Sequence, residues 1–552
     1  MASILKILLL LICIASIYSC STQKGISKKE IRKAQELYGL TFGDTAIDTM
    51  QNYLNRNLSG FDSLRQYDLP HQTFPALVFD HHPLGFEIAE IQDSLHVNIP
   101  SADDLSVSDS LLGFYSIPQL AALLQSGKIT SEELTRFYLD RLKKYNPTLE
   151  CAITITEDLA MTQAKKADEE MAKGIYKGLL HGIPYGTKDL ISVEGYKTTW
   201  GAMPYKNQEI NHTATIIRKL EEAGAVLIAK LSSGALARGD VWFDGETKNP
   251  WDTLQGASGS SAGSGSATSA GLVGFSLGTE TLGSITSPSN RNGVTGLRPT
   301  YGRVSRDGVM SLSWSMDKVG PICRSAEDCA IVFDVIRGKD SLDVTTREVG
   351  FSYDSDIDIT TLNVAYLKKD IEKDTTEVKT NLLKALAILD SLGVQPDSMK
   401  LPTDYPFDGF DIILRAEAGA MFDDMVRSGK VDIMVQQTQR SRANSLRQAR
   451  FIPAVEYLQA NRFRRLLIEE INDLFEHYDV IIAPTFSGSR QLLITNLTGH
   501  PVVTVPTGFD EKGHPTSITF IGNLYQEGVI LGMAHAYQVA TKHHLQRPPL
   551  FD

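Results

Sequence analysis

Cysteine is scarce in this 552-residue chain, with five in all. Cys13 and Cys20 lie in the N-terminal apolar stretch, which leaves Cys151, Cys323 and Cys329 for the body. Three thiols without paired close spacing exclude a disulfide framework and a zinc site. The interval CRSAEDC permits one Cys323–Cys329 bridge in an oxidising compartment, and buried free thiols satisfy it equally well. Basic residues are also short, 54 against 66 acidic, a net charge of −12. That balance argues against a nucleic-acid surface and gives no attraction to anionic lipid. No repeat of fixed period is present, which excludes a solenoid or propeller. No apolar run reaches the roughly 20 residues that a spanning helix needs.

The longest such run, Ile7 to Ile17 in MASILKILLLLICIASIYSCSTQKG, has the length of a secretory signal's hydrophobic region and follows one basic residue, Lys6. Its ending, Ile17-Tyr18-Ser19-Cys20, resembles a bacterial lipobox. The expectation is a signal over residues 1–19, lipidation of Cys20, and a protein held at the periplasmic or outer face of a bacterial membrane only by that lipid. An ordinary cleaved signal or an uncleaved anchor is the alternative.

Residues 20–112 read as an extension, helix-leaning in KKEIRKAQELYG and irregular in LPHQTFPALVFDHHPLG. Asp80-His81-His82 lacks a further spaced ligand set, so it reads as part of a turn or wrap and not as a metal site. From Ser116 the text is regular. A capping box at Thr130-Ser131-Glu132-Glu133 opens an amphipathic helix, and CAITIT, TIIRKLEEAG and AVLIA continue an alternation of helices and buried strands. The pattern predicts an α/β layered protein.

In its middle stands GASGSSAGSGS, residues 256–266, made only of glycine, alanine and serine. Such a run is either a flexible linker or a loop whose backbone must approach something closely. It has no composition boundary and no charged or proline-rich flank, and an apolar strand, GLVGFSLG, follows at once. The close-approach reading is favoured. A second small-residue loop, GTETLGSITSPSNRNGVTGLRPT, follows that strand, and upstream HGIPYGTKDLI places Lys188 in a turn before an apolar segment. Two other patterns fail on context. Gly259-Ser260-Ser261-Ala262-Gly263 matches G-x-S-x-G but lacks the apolar strand that a nucleophile elbow needs, and Ser315-Met316-Asp317-Lys318 matches S-x-x-K with no K-T-G anywhere.

The pieces GIPYGTKDLI, NPWD with GASGSSAGSGSA, GTETLGSITSPS, GVTGLRPTYGRVS and, near the end, YDVIIAPT and NLTGHPVVTVPTGF resemble the amidase signature family in order over about residues 113–548. The resemblance implies one large domain over 113–552, with a mixed β-sheet flanked by helices on both faces. It implies a serine hydrolase without metal or cofactor, acting on a small-molecule or peptide amide through an acyl-serine. Lys188 falls on the general base, Ser284 on the nucleophile, and Ser260 on a bridging serine held by a cis peptide. Backbone N–H groups of Thr281, Leu282, Gly283 and Ser284 fall on the oxyanion hole. Ser261 receives no role, and Glu280 reads as a structural acid serving loop N–H groups. Asp189 could trap Lys188 as an ion pair, but neighbours on a strand point to opposite faces. Family members that take acidic substrates carry an arginine just after the nucleophile. Ile285, Thr286 and Ser287 stand there instead, which leaves Arg415, Arg440 and Arg442 as the basic residues able to shape a pocket. Two further readings share these residues: an amidotransferase A-like subunit, which would need a cytosolic tRNA-binding partner, and a silent surface lipoprotein that binds amides. A homodimer is compatible with the sequence.

Overall fold

The computed structural model describes residues 25–67, 69–374, 376–486 and 490–551. The apolar N-terminal run, Lys6, Cys13 and Cys20 lie outside the described residues, and with them the signal and lipidation readings. No helix among the described residues is long and apolar enough to cross a membrane.

The chain divides into two compact units between Thr73 and Phe74. Within the first, a Ser27/Glu30 capping box starts α1 (Lys28–Leu37), and α2 (Asp44–Leu64) follows. Ile31 and Ile47 are its buried apolar side chains. The division falls well ahead of residue 113, where the motif resemblance begins. Residues 74–112 are built into the larger unit: Ser94–His96 pairs in parallel with Ser352–Asp354, and His82 Nε2 lies 2.6 Å from the Tyr525 hydroxyl. His81 is buried, so Asp80-His81-His82 belongs to a wrap over the body.

The core of that unit is one mixed eleven-stranded sheet. In chain order its strands are β1 (Ala152–Ile155), β2 (Pro184–Lys188), β3 (Val226–Leu231), β4 (Phe275–Glu280), β5 (Thr295–Arg298), β6 (Lys318–Cys323), β7 (Val364–Tyr366), β8 (Asp397–Ser398), β9 (Val480–Pro484), β10 (Val502–Phe509) and β11 (Pro515–Gly522). The spatial order is β8-β7-β9-β11-β10-β5-β6-β4-β2-β3-β1. The runs VLIAKL and FSLGTE are buried at every residue, as expected of strands covered by helices on both faces. β2 runs parallel to both β3 and β4, so the C-terminal ends of β2 and β4 lie side by side. Lys188 ends the first and Glu280 the second. The turn expected at Lys188 is therefore a strand end, and the apolar residues after it form no strand.

Between β3 and β4 the Gly/Ser run does not extend as a linker would. It enters a helix, α3 (Ala262–Ser269), in which every residue is buried. Its composition follows from what it touches. A Cβ on Gly263 would collide with the Cys151 carbonyl oxygen and the Ser232 amide nitrogen, both fixed backbone atoms. The strand before it, Asp252–Gly256, is half-exposed and pairs only with Lys248–Asn249, which is not the buried strand of a nucleophile elbow. Cys151, Cys323 and Cys329 are buried free thiols.

Gly263→Ala is expected to destabilise the protein by about 1–3 kcal/mol, the scale of overpacking against atoms that cannot give way. A melting temperature equal to that of the unchanged chain would show that this contact does not fix the composition.

Candidate active site

Three of the segments picked out by sequence converge at the ends of β2 and β4. Lys188 is fully buried, and its Nζ lies 2.7 Å from Ser260 Oγ, 3.0 Å from Ser261 Oγ and 2.9 Å from Thr279 Oγ1. No carboxylate is among these partners. Burial therefore drives its pKa well below the ordinary 10.5, while the more distant Asp317 and Glu280 oppose the fall without reversing it. A neutral amine has two N–H donors and one lone pair. Ser261 Oγ gives its hydrogen to the Thr279 carbonyl at 3.2 Å and accepts the Thr279 amide at 3.1 Å, so toward Lys188 it accepts. Ser260 Oγ and Thr279 Oγ1 are the other two hydroxyl partners of the amine, and Ser260 is the nearest of the three.

Asp189 does not trap this lysine. It points to the other face of β2 and pairs with Lys230 Nζ at 2.8 Å. Lys230 also donates to the Lys197 carbonyl at 2.6 Å and to Thr198 Oγ1. The parity of the strand separates a paired lysine from an unpaired one.

The peptide bond Gly259–Ser260 is cis. Ser284 lies on the turn between β4 and the short helix α4 (Thr286–Asn292), and its carbonyl accepts the Ser261 amide at 3.2 Å. This bond ties the two small-residue loops together. Ser284 is 9% exposed against 1% for Ser260, and only Ser284 of the two lines a cavity of about 240 Å³ together with Leu282, Leu414, Arg415 and Arg442. Among the described residues no hydrogen bond joins the two hydroxyls: Ser260 is engaged by Lys188, and Ser284 Oγ is left to the cavity. A roomier cavity of about 530 Å³, lined by Phe79, Trp314 and Tyr457, contains none of these groups, so the chemistry selects the smaller one.

The backbone of the Ser284 turn is unusual in what it leaves over. Glu280 Oε2 accepts the amides of Ile285 and Thr286 at 2.8 and 2.9 Å, and the Gly283 carbonyl accepts the Ser287 amide at 2.7 Å. The amides of Thr281, Leu282, Gly283 and Ser284 donate to no described residue. Gly283 has φ = 92°, a conformation that glycine adopts without strain. Glu280 is the structural acid that the sequence suggested. Burial alone would raise its pKa, but Arg298 and Asn496, each 2.9 Å from Oε1, and the loop amides hold it at about 2. The turn is anchored on its other side by Thr281 Oγ1, which donates to Asp317 at 2.5 Å.

Sequence reasoning missed Ser261 and Thr279 as partners of the amine. The adjacent Ser260-Ser261 pair was the available signal for the first, and nothing marks Thr279. Of the three arginines expected near the pocket, Arg415 and Arg442 line it and Arg440 does not.

The family described as Amidase matches residues 133–531. The chain belongs to that family. It is 31% identical over 486 residues to the glutamyl-tRNA(Gln) amidotransferase A chain of Oceanobacillus iheyensis, covering 79% of this chain and 98% of that protein. The counterpart of the same description from Geobacillus thermodenitrificans is 32% identical over 481 residues, covering 79% and 99%. Among solved structures, the native peptide amidase from Stenotrophomonas maltophilia superposes with a TM-score of 0.71 at 28% identity, covering 80% of this chain and 100% of that one. A bacterial aryl acylamidase at 19% identity, TM-score 0.69, covering 78% and 98%, shares the fold. This amidase-family chain thus has the expected sheet and helices.

Asp189→Ala leaves Lys230 buried without its counter-charge and is expected to cost about 3–5 kcal/mol in urea unfolding, the usual penalty for breaking a buried pair. A loss under about 1 kcal/mol would mean that Lys230 is not held by that carboxylate.

Proposed function

We propose that the protein hydrolyses a carboxylic amide C–N bond to an acid and ammonia or an amine, with Ser284 as nucleophile. Ser260 passes the Ser284 proton to Lys188 and returns one to the departing nitrogen, and the amides of residues 281–284 receive the oxyanion. The observation that carries this reading is the buried, carboxylate-free lysine whose Nζ lies 2.7 Å from Ser260 Oγ. A serine hydroxyl needs a base, and a lysine is one only when neutral. The four unspent amides beside Ser284 support it, since each such donor is worth about 2.7–4 kcal/mol where removal has been measured. The Ser260–Ser284 contact is the link that forms only when substrate draws Ser284 toward the relay; catalytic hydrogen bonds are often long before substrate binds.

Hydrolysis by the chain alone is preferred to an amidotransferase role because the N-terminal run reads as an export signal, and a tRNA-dependent partner would not be met outside the cytosol. Ammonia or amine release by the purified chain without tRNA supports hydrolysis. A silent amide binder has no use for a lysine kept neutral at a serine pair. We also propose that Cys20 is lipidated and holds the protein at the membrane; radiolabelled palmitate incorporated by the natural chain and lost in Cys20→Ala is the expected result, and no label in a bacterial host would return the segment to an ordinary signal.

Lys188→Ala should keep its fold and lose about 10²–10⁴-fold in activity, the scale of general base catalysis. The pKa of Lys188 is lowered, so the amine is competent above that value and protonated below it. Activity should therefore fall as pH drops through an ionisation below the ordinary lysine range, and Lys188→Ala should lack that limb. Near-normal turnover in this variant would remove Lys188 from the mechanism.

The two serines separate in a fluorophosphonate assay. Ser284→Ala should never label, Ser260→Ala should label slowly, and Ser261→Ala should keep more activity than either. The double variant at 260 and 284 should be no worse than Ser284→Ala, since members of one catalytic unit are not additive. An adduct mapped to Ser260 or Ser261 in the natural chain would reverse the roles.

A further inference from the structure

The cavity that holds Ser284 is out of charge balance. Arg238, Arg415 and Arg442 line it, with Asp411 as its one carboxylate. Arg415 Nε is paired with Asp411 at 2.7 Å. The Arg238 side chain has no ion-pair or hydrogen-bond partner among the described residues. Arg442 is the more telling residue, because it is 5% exposed on the short helix Arg442–Ala449. Its Nε donates to the Leu236 carbonyl at 3.0 Å and its Nη2 to the Ala237 carbonyl at 3.1 Å. Both acceptors are neutral. Its Nη1 is buried with no acceptor at all among the described residues.

A buried guanidinium whose only partners are two carbonyls is held in place but not neutralised. Burial and the neighbouring Arg238 lower its pKa to about 9, while the more remote Asp317 and Asp411 pull the other way. Buried polar hydrogens are nearly always paired, and Arg442 lines the cavity, so an anion there would meet a guanidinium that no carboxylate among the described residues neutralises. A carboxylate suits it, because a hydrogen bond from a guanidinium to an ionised oxygen is roughly twice as strong as one to a neutral acceptor.

We propose that the substrate carries a carboxylate close to its scissile amide, and that Arg442, assisted by Arg238 and Arg415, receives it. This rests on Ser284 being the reacting serine. Ile285, Thr286 and Ser287 stand just after the nucleophile in place of an arginine, so the charge is met by arginines elsewhere in the chain that line the same cavity. The carboxylate belongs either to the acyl part, as in a monoamide of a dicarboxylic acid, or to the amine part, as in an N-acyl amino acid. Both put the same group beside the same bond.

Binding to Ser284→Ala by titration calorimetry tests this without turnover. Glutaramate is compared with valeramide, which has the same reach without charge, and N-valerylglycine with N-isobutylvaleramide. At least one carboxylate should bind about tenfold or more tighter than its neutral isostere, and which one does so identifies the side that bears the charge. The margin should shrink in high salt and should collapse when Arg442→Gln is added. If that variant does not fold, Arg238→Gln and Arg415→Gln, both at less buried positions, should each reduce the margin. Equal affinities within both pairs, tighter binding of the neutral compounds, or no binding of any of them would overturn the proposal. Failure of the catalytic reading is seen separately, as absence of fluorophosphonate labelling at Ser284 in the natural chain. A neutral preference with normal labelling would sink only the carboxylate subsite.

Discussion

An ammonium group taken out of water with no carboxylate beside it is unstable as an ion, and it relieves that cost by losing its proton. Lys188 is in this position, and much of the neighbouring architecture serves to keep it there. Its three nearest partners are hydroxyls. The acid next to it in the chain, Asp189, is turned to the opposite side of β2. The registers of β2 and β3 pair Thr187 with Lys230 and Lys188 with Leu231, so Lys230 shares the face of Asp189 while Lys188 meets an apolar neighbour. A single-residue slip of β2 would carry Lys188 to the face of Lys230 and take Asp189 away from it, leaving two buried lysines together with no carboxylate between them.

The register is held in turn by residues with no chemistry of their own. A Cβ on Gly186, in β2, would meet Leu231 Cδ1 at 2.5 Å, and one on Gly278, in β4, would meet Ser261 Oγ at 2.9 Å. Glycine at these places lets the strands and the α3 loop close on one another, and that closure excludes water from the amine. The abundance of small residues through this region is a packing requirement first. Its hydroxyls then do two jobs, since Ser264 and Thr268 bond backbone or strand groups while Ser260 and Ser261 face the lysine.

Local features were legible in the sequence because they depend on few neighbours. The capping box at Thr130 and Glu133 forms as written, and the apolar runs AVLIA and GLVGFSLG overlap the buried β3 and β4, which each extend two residues further. The α/β class followed from their alternation. Lys188 was misplaced into a turn because Gly182, Pro184 and Gly186 outweigh the apolar signal of a strand only five residues long. Thr279 carries no mark of its role, since one β-branched residue at a strand end looks like any other. The extension was equally opaque. Residues 74–112 are polar and irregular, yet they join the main unit through partners such as Ser352 and Tyr525, hundreds of positions away. Arg442 was named only as one of three basic residues, and what singles it out, two carbonyl partners and one orphaned nitrogen, is a property of the folded pocket alone.

The same economy of partners explains the turn that carries Ser284. A helix start leaves its first amides without intrahelical acceptors, and here the Glu280 carboxylate takes Ile285 and Thr286 while the Gly283 carbonyl takes Ser287. Those assignments leave the preceding four amides without an acceptor among the described residues, and Thr281, Leu282 and Ser284 of that stretch line the cavity. A carboxylate beside the proposed oxyanion site would ordinarily oppose negative charge there, with an energy that grows as water is excluded. Glu280 avoids this because its charge is already met by Arg298 and Asn496 on the far side. It shapes the turn with its own charge already met. The charge without a carboxylate partner among the described residues that line the cavity is that of Arg238 and Arg442, and its sign is the one that the proposed carboxylate-bearing substrate requires.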